Sequence, residues 1–186
     1  MANSQIKMAF DEKKAINAVL YIAKKLVRKD FHKIFKILYF ADREHLMTYG
    51  RTITGDEYIA MNDGPVPSNI YDIFKAVRGT SFFKDDGTFS HYFHVTDWDI
   101  INPKKDADTT ELSKTDLQFL DKCIEKYGNM SWDEIREKSH DYAWRNTTSN
   151  RPIHFENIVL EAGGDDEYID YLKEHSILSN LSMNGV

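Results

Sequence analysis

The chain has 186 residues, 41% hydrophobic and 13% aromatic, which suits one domain with a substantial core. No apolar run approaches the roughly 18 residues of a membrane span, and the segment before Phe10 lacks the apolar stretch of a signal peptide, so a cytoplasmic protein is expected. The formal charge of −6 is uneven: residues 1–40 carry nine Lys or Arg against three acids, leaving fifteen against twenty-seven beyond, a balance that disfavours nonspecific nucleic-acid binding.

Taken in chain order, Ile16, Val19, Leu20, Ala23, Leu26 and Val27 recur at helical spacing, predicting an amphipathic helix over 11–28 with Asp11 as N-cap. Asp30 caps a second helix over 31–49. Ile34, Ile37, Leu38, Ala41 and His45 line one face, and Phe35, Tyr39 and Phe40 widen the apolar surface until the helix must be central. Gly50 is placed to end it in a left-handed cap. Tyr58–Met61 reads as a short strand, Gly64-Pro65 as a break, and Pro67 as the first turn of a third helix that Gly79 closes. Ser81–Lys84, Asp85-Asp86-Gly87 and Thr88–Val95 have the form of a hairpin, with Phe89, His91, Phe93 and Val95 on one face.

Residues 97–111 read as a surface loop. Ser113-x-x-Asp116 opens a helix that Gly128 stops, and Ser131-x-x-Glu134 is a capping box for a shorter one through about Ser139. Pro152 starts a helix to Ala162, and Asp165 caps a last one through about His175. The expected fold is a single α+β domain over 1–186. It is mainly helical, with a small antiparallel sheet of about three strands packed by the helix at 31–49. Residues 150–178 form a C-terminal helical extension and 179–186 a flexible tail.

Few side-chain groups point to chemistry. Asp42 and His45 lie three apart on a helix, and with His140 they could hold the metal of a hydrolase. The pattern lacks the denser signature of metal-binding helices, and a helix-internal polar contact is the simpler reading. Ser139-His140-Asp141 invites a nucleophile–base–orienter reading, but adjacent residues rarely converge that way. His91 and His94 fall on opposite strand faces. Gly50-x-x-x-x-Gly55 lacks the Lys-Ser/Thr of a phosphate loop, and Asp56 would repel the anion. Cys123, the lone cysteine, falls beside Leu120 and Ile124 as a small core residue. Lys24, Lys25, Arg28, Lys29, Lys33 and Lys36 form either a basic stripe for an anionic partner or the solvated faces of two helices. No catalytic residue, metal site or cofactor site is assigned.

Two blocks in fixed order carry a family resemblance. The first holds Tyr39-Phe40-Ala41-Asp42, Gly50-Arg51, Ile53-Thr54-Gly55-Asp56 and Gly64-Pro65-Val66-Pro67. The second holds Leu112-Ser113, Tyr127-Gly128, Met130-Ser131 and the His140…Trp144 pair. Over about residues 12–145 the chain resembles the Panacea antitoxin-domain family, the SocA-like and phage-associated GepA-like proteins. That resemblance implies a protein that binds and neutralises a cognate toxin, or serves as its proteolytic adaptor and so also meets a protease. A phage-associated regulatory or nucleic-acid-binding module is the alternative on the basic N-terminal helices. Physically, the glycines and the prolines Pro65 and Pro67 should build a rigid loop surface flanked by Tyr58, Met61 and Tyr71 as interface anchors. Asp42, Arg51 and Asp56 should hold the turn as a polar network.

Overall fold

The computed structural model describes residues 5–183 apart from residue 83, with side chains described as far as residue 175. The described chain is α+β and mainly helical, as expected. Its α-helices are α1 (Glu12–Lys25), α2 (Phe31–Tyr49), α3 (Ser68–Arg78), α4 (Lys114–Tyr127), α5 (Trp132–Ser139), α6 (Tyr142–Arg145), α7 (Phe155–Glu161) and α8 (Asp166–Met183). The strands β1 (Tyr58–Met61), β2 (Gly64–Pro67), β3 (Phe93–Thr96) and β4 (Ile100–Pro103) form two separate antiparallel hairpins, β1–β2 and β3–β4. The tail predicted over 179–186 falls where side chains, and from 184 the backbone also, lie outside the described residues.

Helix α2 is the axis of the molecule. It packs against α1, α4, α5, α7 and β2, and residues on every side of it are buried. Phe31 and Phe35 meet Phe74 of α3, Phe74 meets Phe93 of β3 edge-on, and Phe40 stacks on Tyr127 of α4. Each such ring contributes about 1.5–3 kcal/mol by leaving water. The caps are local and form as their residues dictate. Asp11 and Asp30 accept N–H bonds from Lys14 and Lys33, Gly50 ends α2 in the left-handed conformation, and Ser113 and Ser131 make complete capping boxes.

Several predicted elements are corrected. Helix α1 stops at Lys25 because Leu26 turns extended, so Val27 leaves the helical register and stands 99% exposed. The single three-stranded sheet does not form, because β1 pairs with Gly64–Pro67, read from sequence as a break. Prolines fit there because the ladder asks nothing of their missing N–H. Ala60 and Tyr58, opposite Pro65 and Pro67, bond outward to residues 150–153 instead. Pro67 is accordingly the N-cap of α3. The Asp85-Asp86-Gly87 hairpin is also absent. Asp85 accepts N–H bonds from Phe89 and Ser90 and Asp86 one from Thr88, winding the stretch into turns. The predicted strand 81–84 includes residue 83, which lies outside the described residues. The loop predicted over 97–111 instead contains β4 and a 3-10 turn at Thr109–Glu111. Pro152 forms a bridge with Ile59 rather than starting a helix, and α7 begins at Phe155.

Candidate functional site

Three polar clusters surround the middle of α2, and together they place Asp42, Arg51, Thr54, Asp56, Gly64, Pro65, His140 and Trp144 of the sequence signature. The first is built on Asp42, 1% exposed. Its carboxylate accepts from Ile53 N–H at 2.7 Å, Thr54 N–H at 3.4 Å, Thr54 Oγ1 at 3.0 Å and the Tyr58 hydroxyl at 2.7 Å. Burial pushes its pKa up to about 6 against the opposing pull of those bonds. Thr54 Oγ1 also accepts the Asp56 N–H, and Asp56 in turn receives the N–H groups of Asn69 and Ile70 at the start of α3. Asp42 and Asp56 therefore hold the turn and aim α3, as the sequence suggests.

Arg51 meets neither of those carboxylates, although its guanidinium donates to the Thr52 carbonyl of the same turn at 3.1 Å. Its guanidinium donates to Asp116 at 2.9 Å, where Lys14 also approaches at 3.4 Å. His45 joins there: Nδ1 donates to the Arg51 carbonyl at 2.8 Å, and Nε2 lies 3.1 Å from Thr115 Oγ1 and 3.2 Å from Asp116. Burial alone would raise the Asp116 pKa, but the His45 and Ser113 hydrogen bonds and the Arg51 charge hold it well below the usual carboxylate range. Asp42 and His45 thus face different partners.

The third cluster cradles the β1–β2 hairpin. Lys36, 1% exposed, donates to the Pro65 carbonyl at 2.8 Å, Arg136 pairs with Asp63 at 3.0 Å, and the Trp144 indole N–H donates to the Met61 carbonyl at 2.8 Å. His140 stacks on Trp144 with centroids 3.8 Å apart, and His32 stacks on Trp132. Gly64 has φ +99°, and a Cβ there would collide with Ser139 Oγ and Lys36 Cε, so only glycine lets the hairpin settle this close. Burial brings the Lys36 ammonium down to about 7 and lowers the His140 pKa.

The residues read as possible chemistry part ways. Ser139 Oγ donates to Arg136 O, His140 stacks on Trp144, and Asp141 accepts from the Tyr39 hydroxyl and Arg43. Among the described residues no three His, Cys, Asp or Glu side chains are grouped to hold a metal, so Asp42, His45 and His140 are not brought together as ligands. Cys123 is fully buried, and burial raises its thiol to about 12. The anchors also need correction. Tyr58 is 1% exposed with its hydroxyl on Asp42, and Pro65 and Pro67 are buried, whereas Met61 and Tyr71 are half-buried and Asn62 and Asp63 are exposed. Lys33 and Lys36 are buried too, so the basic stripe read across both helices is interrupted. Sequence reasoning named Lys36 as part of a basic stripe and Asp116 as a capping residue, which it is, but did not foresee Lys36 under the hairpin, Asp116 as the partner of Arg51, or any role for Arg136. Lys36 was detectable: a lysine flanked by Phe35, Ile37, Tyr39 and Phe40 on a helix apolar all round has no solvent face to occupy.

A family model described as antitoxin SocA-like, Panacea domain, matches residues 34–145, from within α2 to the end of α6. The chain belongs to this family. No curated protein and no solved structure matches it. Apart from Lys14 and His32, the three clusters lie within the matched span, which holds Asp42, Arg51, Asp56, Gly64 and Trp144. Lys14, which approaches Asp116, and residues 150–153, which extend β1, come from outside it. Among the described residues no helix is long and apolar enough to cross a membrane.

Proposed function

We propose that this Panacea-domain protein neutralises a cognate toxin by direct contact, without turning over a substrate. The observation that carries the reading is how the signature side chains are used. Asp42, Asp56, His45 and Arg51 bond within the fold to hold the turn after α2, and Trp144 bonds the β1–β2 hairpin. A fold so pinned presents Asn62, Asp63, Met61 and Tyr71 with little conformational freedom to lose on docking. The family membership supplies the partner class.

The test is co-purification of the product of the neighbouring reading frame with the tagged full chain. A stoichiometric complex by size exclusion supports neutralisation by contact. Disappearance of the toxin only in cells with an intact protease supports the adaptor form of the same activity. A toxic neighbour that neither binds nor declines in level contradicts both.

A further inference from the structure

The β3–β4 hairpin carries a feature that none of the three clusters around α2 explains. Its turn, residues 97–99, has two consecutive non-glycine residues in the left-handed region, Asp97 at φ 47° and Trp98 at φ 74°. A bulky residue rarely adopts such a φ, and the strain is retained only where surrounding structure enforces it. A tight hairpin turn favours such φ values, and Arg78 braces it: the guanidinium donates to the Trp98 carbonyl at 2.9 Å and lies 4.4 Å from the centre of the indole ring. The indole itself is 69% exposed.

The same hairpin leads to a basic cleft. The segment after α1 runs antiparallel to β4, with Ile101 N–H on Lys29 O, Asp30 bridged to Ile100 and Phe31 N–H on Asp99 O. That register sets Trp98 beyond one end of the pairing, and toward the other the chain leads back to the exposed Val27 and β4 runs on to Pro103. There a cleft of about 330 Å³ is lined by Lys24, Lys29, Pro103, Lys104, Lys105 and Asp106. Lys24 pairs with Asp106, whereas Lys29, Lys104 and Lys105 have no carboxylate partner among the described residues.

We propose that this ridge, from Trp98 past Val27 to the lysine cleft, docks an extended acidic segment of the partner protein, its apolar side chains on Trp98 and Val27. The inference rests on the antitoxin reading and adds a second contact surface to the hairpin tip at Asn62 and Asp63. Charge complementarity selects the occupant: Lys104 rests on the Ser90 carbonyl and Lys105 on His91, neutral partners that leave their charges, like that of Lys29, uncompensated by a carboxylate among the described residues, in a chain of net charge −6. A protein segment suits the ridge better than a nucleic-acid strand. Asp97, Asp99 and Asp106 interrupt the positive surface, and a regularly charged phosphate backbone would have to pass all three. A peptide can place apolar residues there.

The experiment titrates the full chain into a short dye-labelled synthetic peptide of alternating Glu and Leu, read by the fluorescence anisotropy of the peptide's label. Alternating Lys and Leu serves as control, and oligothymidine as a competing probe. Trp98→Gly suits the backbone at φ 74°, so it should melt no lower than the wild type while binding about tenfold more weakly. The double change Lys104→Glu with Lys105→Glu should weaken the peptide comparably. Absence of saturable peptide binding, or equal binding by Trp98→Gly, overturns the proposal. Trp98-dependent binding that prefers oligothymidine, or self-association abolished by Trp98→Gly, also overturns it by giving the ridge another occupant. Co-purification separates the two readings: if the neighbouring product is retained equally by wild type and Trp98→Gly, the ridge is wrong and the antitoxin reading stands. If the wild type fails to retain it, the antitoxin reading falls.

Discussion

Asp42 shows how one side chain can organise a family signature. Its carboxylate is the common acceptor for the turn after α2 and for Tyr58 of β1, so the two share one anchor. Asp42→Ala leaves those donors buried without an acceptor and should destabilise the fold by about 2–4 kcal/mol. Tyr58→Phe removes one donor while leaving the carboxylate its others, and should cost about 1 kcal/mol. Urea unfolding of both variants checks the ranking, and equal effects would contradict the anchoring role.

Lys36 permits a test of sign. Its folded-state pKa is brought down to about 7 by burial, while the unfolded chain keeps the ordinary lysine value of 10.5. Between those values the unfolded chain binds more protons, so this residue's contribution to stability rises as pH climbs from 7 towards 10.5. Below about 7 both states are protonated, and a constant penalty for the buried cation remains. Asp42 behaves oppositely, since its pKa is raised to about 6. Its contribution is greatest when the carboxyl is protonated and declines as pH rises from 3.8 to 6. The stability difference between wild type and Lys36→Met should therefore grow in favour of wild type from pH 7 to 10, and a flat difference would show that the amine is not buried.

At the scale of elements, what was legible was local. Asp30, Gly50, Ser113 and Ser131 act on the next few backbone groups, so their caps could be read from neighbouring letters. Strand pairing could not. Asp86-Gly87 has hairpin chemistry, but Asp85 offers the same backbone a closer partner, and the competing bonds win. Gly64–Pro67 reads as a break because its prolines cannot donate. It is a strand because β1 takes its other bonds from Asn150, Arg151 and Ile153, ninety or more residues away. The candidate site was legible in its members and hidden in its wiring. Asp42 and Asp56 hold the turn as expected, whereas Arg51 reaches a helix more than sixty positions distant, which no spacing rule reveals. The hairpin itself is tightly specified. Gly64→Ala places a Cβ against Ser139 and Lys36 at φ +99° and should cost about 3 kcal/mol or more in thermal unfolding. A neutral result would mean that β2 does not sit this close to α2.

For the molecule as a whole, the architecture separates a rigid centre from an exposed rim. Helix α2 gathers the core and the three polar clusters, while the acidic surface, the hairpin tip at Asn62-Asp63 and the ridge at Trp98 remain outside. The Asp42 cluster, with both carboxylate oxygens bonded, supports one well-defined conformation, whereas His140 Nε2 and His32 Nδ1 beside the hairpin are buried without a partner. The most direct measurement is growth rescue. The neighbouring reading frame is expressed alone and then with this chain, scoring growth and recovering the complex. The account predicts that the neighbour arrests growth by itself, that the pair grows, and that the two proteins purify together. A neighbour that arrests growth equally in the presence of soluble, folded partner would contradict it.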